Sequence, residues 1–182
     1  ASNRPHSGYP YSYGASRSNI LRGFSKVGGD IISLSKENYA SETTYPSNAD
    51  YAYAELFSYN TNLIDASDLL LRPDTVYNDM FFSTFKGCTS LRFAPALPAT
   101  TLAIDCYAGM FQGCTLLVNA PKLYATTLAD SCYCDMFNGC NSLTTAPSVL
   151  PATTLDINCY YKCIFLRNVD NSNHGTCNPE AN

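Results

Sequence analysis

The chain has 182 residues, of which 46% are hydrophobic and only 14% charged, enough apolar surface for one continuous core. A net charge of -4, with Lys and Arg scattered singly, argues against nucleic acid and against an anionic membrane surface, because no basic patch exists to displace counterions. No apolar run approaches the ~20 residues that span a bilayer.

In chain order, the first stretch is "ASNRPHSGYPYSYGASRS", residues 1–18, rich in Ser, Gly, Tyr and Pro and without apolar periodicity. It reads as a flexible arm or linker. It lacks the basic-then-apolar order of a signal peptide, so any export signal is expected to have been removed already. Apolar residues return over 19–54, an expected N-terminal cap in which "DIISL" from Asp30 reads as a strand.

Repeats fill residues 55–165. Aligning "TFKGCTSLRFAPALPATTL" from Thr84, "MFQGCTLLVNAPKLYATTL" from Met110 and "MFNGCNSLTTAPSVLPATTL" from Met136 puts Phe57, Phe85, Phe111, Phe137 and Ile164 in one column, with spacings of 28, 26, 26 and 27. Leu63, Leu91, Leu117 and Leu143 keep the same step, as do Ala66, Ala94, Ala120 and Ala146. Two further columns are Leu69, Leu97, Leu123, Leu150 and Val76, Leu102, Leu128, Leu155. Apolar columns held at a fixed period in the twenties predict a solenoid, in which one unit buries its apolar face only against the next. The expected fold is an α/β leucine-rich-repeat solenoid of about four coils of 26–28 residues. Each coil should hold a short strand near "LTTAPSVL", a turn at "PATT" and a short helical or irregular stretch around the Met-Phe pair. Pro95, Pro121 and Pro147 recur in or beside the strand and cannot donate to a ladder, so the strands should be very short. Residues 166–182 are expected to form a C-terminal cap, because the pattern fails after Ile164 and Arg167 stands at the Cys position.

The repeated "MFxGCxSLxxAPxLPATTL", with a Cys-Tyr pair before the next Met-Phe, resembles the leucine-rich repeats of BspA-like surface proteins of Bacteroides and related anaerobes. Its "MF-x-G-C" element is similar to the "AF-x-x-C" element of the Treponema-type repeat, and "GGDIISLSKENY" from Gly28 resembles the segment preceding the repeats in those proteins. The match spans about Glu55 to Phe165, and it departs at Asn60, which replaces Cys, and at Tyr124, which replaces Pro. The resemblance implies export to the cell surface and a role in binding proteins or host surfaces, with no catalytic residues.

Six of the nine cysteines form two columns, Cys88, Cys114, Cys140 and Cys106, Cys132, Cys159. They read as ladders of small buried apolar side chains, with pairs such as Cys106–Cys114 or Cys132–Cys140 as the disulfide alternative. Cys134, Cys163 and Cys177 lie off both columns and are the better candidates for reactive or paired thiols. "CYCDMFNGC" has no second ligand pair of the usual zinc spacing, so no metal is expected. His6 and His174 sit near the chain ends outside any motif, which argues against Cys–His catalysis and against an enzyme. Asp79, Asp105 and Asp130 recur about one repeat apart, too few oxygens per coil for Ca²⁺, and read as turn residues or caps. No cofactor is implied.

The expected working surface is the outward side of the strands: Arg92, Phe93, Val118, Asn119, Lys122, Thr144, Thr145 and Ser148, which differ from coil to coil. Phe93 beside Arg92 would be an anchor. The functional expectation is adhesion or protein–protein interaction by an exported surface protein. The alternatives are a glycan-binding module and a structural spacer of a larger assembly.

Overall fold

The computed structural model describes residues 21–34, 49–72, 76–145, 147 and 150–163. The arm at 1–18, the cap at 166–182 and the positions Ala146, Ser148, Ile164, Arg167, Cys177, His6 and His174 lie outside the described residues. No described helix is long and apolar enough to cross a membrane.

Each unit contributes a segment of consecutive β-turns, and these segments lie side by side in register. In the second unit the amides of Met80, Phe82, Thr84, Lys86 and Cys88 each donate to the carbonyl three residues back. The alternate amides, those of Asp79, Phe81, Ser83, Phe85 and Gly87, donate instead to Ile104, Cys106, Ala108, Met110 and Gln112 of the third unit. Every peptide group is thereby satisfied, half within the unit and half with its neighbour. The same alternation links the first unit to the second, the third to the fourth, and the fourth to residues 157–163. The stretch expected to be short helical or irregular is therefore a chain of turns, and no α-helix occurs among the described residues.

The alternation has a backbone requirement. Every second turn carries a positive φ at its third residue, as a type II turn needs. Those residues form three columns: Tyr51, Asp79, Asp105, Ser131, Asn158; then Glu55, Ser83, Gly109, Asp135, Lys162; then Tyr59, Gly87, Gly113, Gly139. The third column explains the glycine of "MF-x-G-C". At Gly139 an added Cβ would lie 3.4 Å from the Gly113 Cα, so this column combines left-handed backbone with close approach between units.

Side chains pointing inward from the turns make two aromatic ladders. Tyr53, Phe81, Tyr107, Tyr133 and Tyr160 stack with centroids 5.4, 5.6, 6.0 and 5.5 Å apart. Phe57, Phe85, Phe111 and Phe137 stack at 5.2, 5.5 and 5.7 Å, and Phe24 closes that ladder edge-on at 6.0 Å. These are offset-stacking distances, and each fully buried ring contributes on the order of 1.5–3 kcal/mol by area alone. Leu63, Leu91, Leu117 and Leu143 are buried beneath them.

The opposite side of each unit is paired far more sparingly. β1 (Lys26–Asp30) runs parallel to β2 (Asp65–Leu70). Beyond β2 the pairing continues as single parallel bridges: Asp65 with Phe93, Leu97 with Leu123, Thr101 with Thr127, Asn119 with Thr145. Pro95, Pro121 and Pro147 stand two residues after Phe93, Asn119 and Thr145, and the missing proline amide stops each bridge from growing into a ladder. The strand expected at "DIISL" ends at Asp30, and Ile31–Leu34 form a 3-10 turn. The Asp30 carboxylate accepts the Ile32 amide at 3.1 Å, and both Ile31 and Ile32 are buried, which an alternating strand would not allow.

Residues 21–24 lie along the free edge of the first turn segment. There the Leu21 amide and the Arg22 guanidinium donate to the carbonyls of Leu56 and Ser58 at 2.9 and 3.1 Å. In every later unit the equivalent carbonyls accept from a preceding unit. Asn60 completes this end: its amide donates to the Phe24 carbonyl, and its oxygen accepts the amides of Gly23 and Asn62. The departure of Asn60 from the Cys column thus has a physical cause, since a thiol could not make these three bonds. The register reaches back to Tyr51, inside the stretch read as N-terminal cap.

The candidate binding surface

The bridged side displays the residues singled out in the strands. Phe93 is 56% exposed and Val118 40%, and Arg92, Asn119, Lys122, Thr144 and Thr145 are all exposed. Ser148 lies outside the described residues. Phe93 and Asn119 are themselves bridge residues, and Arg92 donates its amide to the Ile64 carbonyl at 2.8 Å. The backbone of this row is therefore held while its side chains stand in solvent. Exposed members that the strand alternation did not single out are Ile64 at 42%, one unit before Arg92, and Tyr124 at 47%. Tyr124 stands where other units have Pro98 and Pro151, a departure visible in the sequence whose exposure follows only from the fold.

The cysteines lie on the other side, among the turns. Cys88, Cys106, Cys114, Cys132, Cys134, Cys140 and Cys159 are all free thiols, so neither Cys106–Cys114 nor Cys132–Cys140 is bridged. One column has a specific role. The thiols of Cys88, Cys114 and Cys140 donate to the carbonyls of Phe57, Phe85 and Phe111 in the preceding unit at 3.1, 3.2 and 3.1 Å. Each of those carbonyls already accepts the amide three residues on, and the small thiol uses its second lone pair. Burial pushes Cys88, Cys132 and Cys140 up to about 12, and Cys106 and Cys114 well above the ordinary value, so these thiols stay protonated.

Of the cysteines off both columns, Cys134 and Cys163 are described, and Cys134 is not activated. Cys134 is half-buried and is raised to about 12 by burial and by the neighbouring Asp135 charge, the opposite of what a nucleophilic thiol needs. Cys163 is fully buried in the column of Leu56, Thr84, Met110 and Met136. Asp79 and Asp105 are turn residues at positive φ, a conformation that Asp tolerates, and the third member of their column is Ser131 rather than Asp130.

At the N-terminal end, Lys26 pairs with Asp68 at 2.7 Å and Asp65 at 3.3 Å, and Arg72 pairs with Asp30. The Asp68 and Asp65 carboxylates hold Lys26 above its ordinary value, and bonds from Ser67 hold Asp65 below its own. The Lys26 pairs lie across β1 and β2 and help hold their register, and the part-buried Asp30–Arg72 pair ties the end of β1 to the chain just after β2, rather than either forming a site. Compared with family models, curated proteins and solved structures, the chain matches none.

Proposed function

We propose that this chain is the binding module of an exported cell-surface protein. In this reading it is a leucine-rich-repeat solenoid of about four coils that engages a protein on a host or microbial surface, and its role is adhesion rather than catalysis. One observation carries the reading. Along the bridged side the inward positions repeat as Leu63, Leu91, Leu117 and Leu143, whereas the next position outward changes from Ile64 to Arg92, Val118 and Thr144. Packing constrains the first row and leaves the second free to encode a partner. Phe93 beside Arg92 supplies the residue types that dominate binding hot spots. The resemblance of the repeat to BspA-like surface proteins supports export and an extracellular location.

The test is a binding screen of the whole chain against extracellular-matrix and surface proteins. It is run beside a variant carrying Arg92→Ala, Phe93→Ala and Lys122→Ala. A partner whose affinity falls at least about tenfold in the variant, a difference of ~1.4 kcal/mol, supports recognition through this face. A partner bound equally well by both proteins moves the site elsewhere, and no partner at all favours a spacer.

A further inference from the structure

The turn side carries a depression of about 810 Å³, within the size range of small-ligand sites. Its origin lies in two columns. One runs Ala54, Phe82, Ala108, Cys134, Tyr161 and the next Glu55, Ser83, Gly109, Asp135, Lys162. The smallest neighbouring pair, Ala108 and Gly109, falls in the middle unit, so the surface drops there between larger groups on either side. Gly109 cannot easily be filled: its φ is +61°, and an added Cβ would lie 2.9 Å from the Ser83 hydroxyl.

We propose that this groove binds a short neutral or amino-sugar oligosaccharide, at a site separate from the bridged face. The lining joins carbon surface to both kinds of hydrogen-bonding group. Phe82, 36% exposed, and Ile104 offer apolar walls, and an aromatic ring presents a face on which the C–H side of a sugar can lie. Lys86, Gln112 and Asn158 supply donors. Asp130 and Asp135 are acceptors already held in place: Ser131 donates to Asp130 at 2.7 Å, and Asn138 donates to Asp135 at 2.9 Å. A carboxylate accepts about four hydrogen bonds, so each keeps capacity for ligand hydroxyls.

Charge narrows the ligand. The lining carries Asp105, Asp130 and Asp135 against Lys86 alone, three negative charges to one positive, which disfavours uronates and sulfated sugars. Among the described residues no three His, Cys, Asp or Glu side chains converge as a metal site requires. The groove thus suits a ligand with many hydroxyls along its length rather than a single cation.

The experiment is calorimetric titration of the whole chain with three probes: N-acetylglucosamine trisaccharide, its de-N-acetylated counterpart and trigalacturonate. A glycan array of neutral and amino sugars accompanies it. The expected result is binding of at least one neutral or amino sugar and none of trigalacturonate. Phe82→Ala should weaken it at least tenfold. Asp130→Asn, which keeps the shape of the groove, should weaken it several-fold with an unchanged melting temperature. Arg92→Ala on the bridged face should leave it intact, so this proposal and the protein-binding reading can fail independently. Absence of any sugar binding, binding unchanged in both groove variants, or trigalacturonate binding as tightly as the neutral and amino sugars would overturn it.

Discussion

On the turn side, each unit donates a run of amides to the next at 2.7–3.1 Å, every second turn demands a left-handed residue, and two aromatic ladders fill the interior. On the bridged side, the same units touch through single parallel bridges, prolines interrupt them, and large side chains such as Phe93 stand in water. The two sides share one chain and one period, yet only the first is over-determined. A repeat can therefore spend its backbone constraints on one side and leave the other open to variation. The difference predicts that substitutions of equal chemical size should have unequal effects on the two sides.

The largest asymmetry should come from pH. All eight described thiols sit on the turn side, and burial raises Cys88, Cys132 and Cys140 from about 9.0 to about 12. The folded state keeps these protons where the unfolded chain loses them. Their stabilisation is complete below pH 9 and is lost as pH rises toward 12, at about 1.4 kcal/mol per thiol per pH unit. Melting temperatures across this range should fall steeply, and Cys140→Ala should flatten the slope. A slope that Cys140→Ala leaves unchanged would mean that its thiol is not buried in solution.

Next in size is ring deletion. Phe111→Ala, inside a ladder, should cost about 3–5 kcal/mol, whereas Phe93→Ala on the bridged side should stay within about 0.5 kcal/mol. Denaturant unfolding of the two variants measures both, and equal losses would break the comparison. Asn60→Ala removes the side chain that meets Phe24, Gly23 and Asn62, and should cost about 1–3 kcal/mol, with early exchange of the amides around Ser58. Gly113→Ala meets no steric block, since its Cβ would lie 3.7 Å from Gly87. Its cost should be the left-handed backbone alone, about 1–2 kcal/mol. Thr144→Val, exposed beside a bridge, should change stability least, by no more than ~0.5 kcal/mol.

Much of this arrangement was legible in the residues. The Phe column, the column of Leu63, Leu91, Leu117 and Leu143, both Cys columns and the short pairing beside each proline can be read from spacing, because a side chain repeated at one position marks a repeated environment. The two further Leu columns break at their last members, since Leu150 and Leu155, expected inward, are 40% and 60% exposed where no further described unit covers them. Other features were not legible. Turn chains and short helices both place apolar residues at short, irregular intervals, so "CYAGMFQGC" could not distinguish them. Only the alternating amide partners do. The thiol bonds to the Phe carbonyls depend on which lone pair the neighbouring unit leaves open. The strand expected through "DIISL" stopped early because the Asp30 side chain captures the Ile32 amide. The variable residues of the bridged face were readable as a row, but the groove was not. It arises from what Ala108 and Gly109 lack relative to their neighbours above and below.

The sequence by itself determined the period, the inward columns and the side of each unit that was free to vary, because those follow from repetition and from the chemistry of single residues. Tertiary structure alone decided the pairing of every second amide with the next unit, the left-handed columns that make it possible, the capping of the first edge by residues 21–24, and the groove. Each of these depends on a partner about 26 or more residues away, and a local pattern cannot specify the geometry of a neighbour it does not contain.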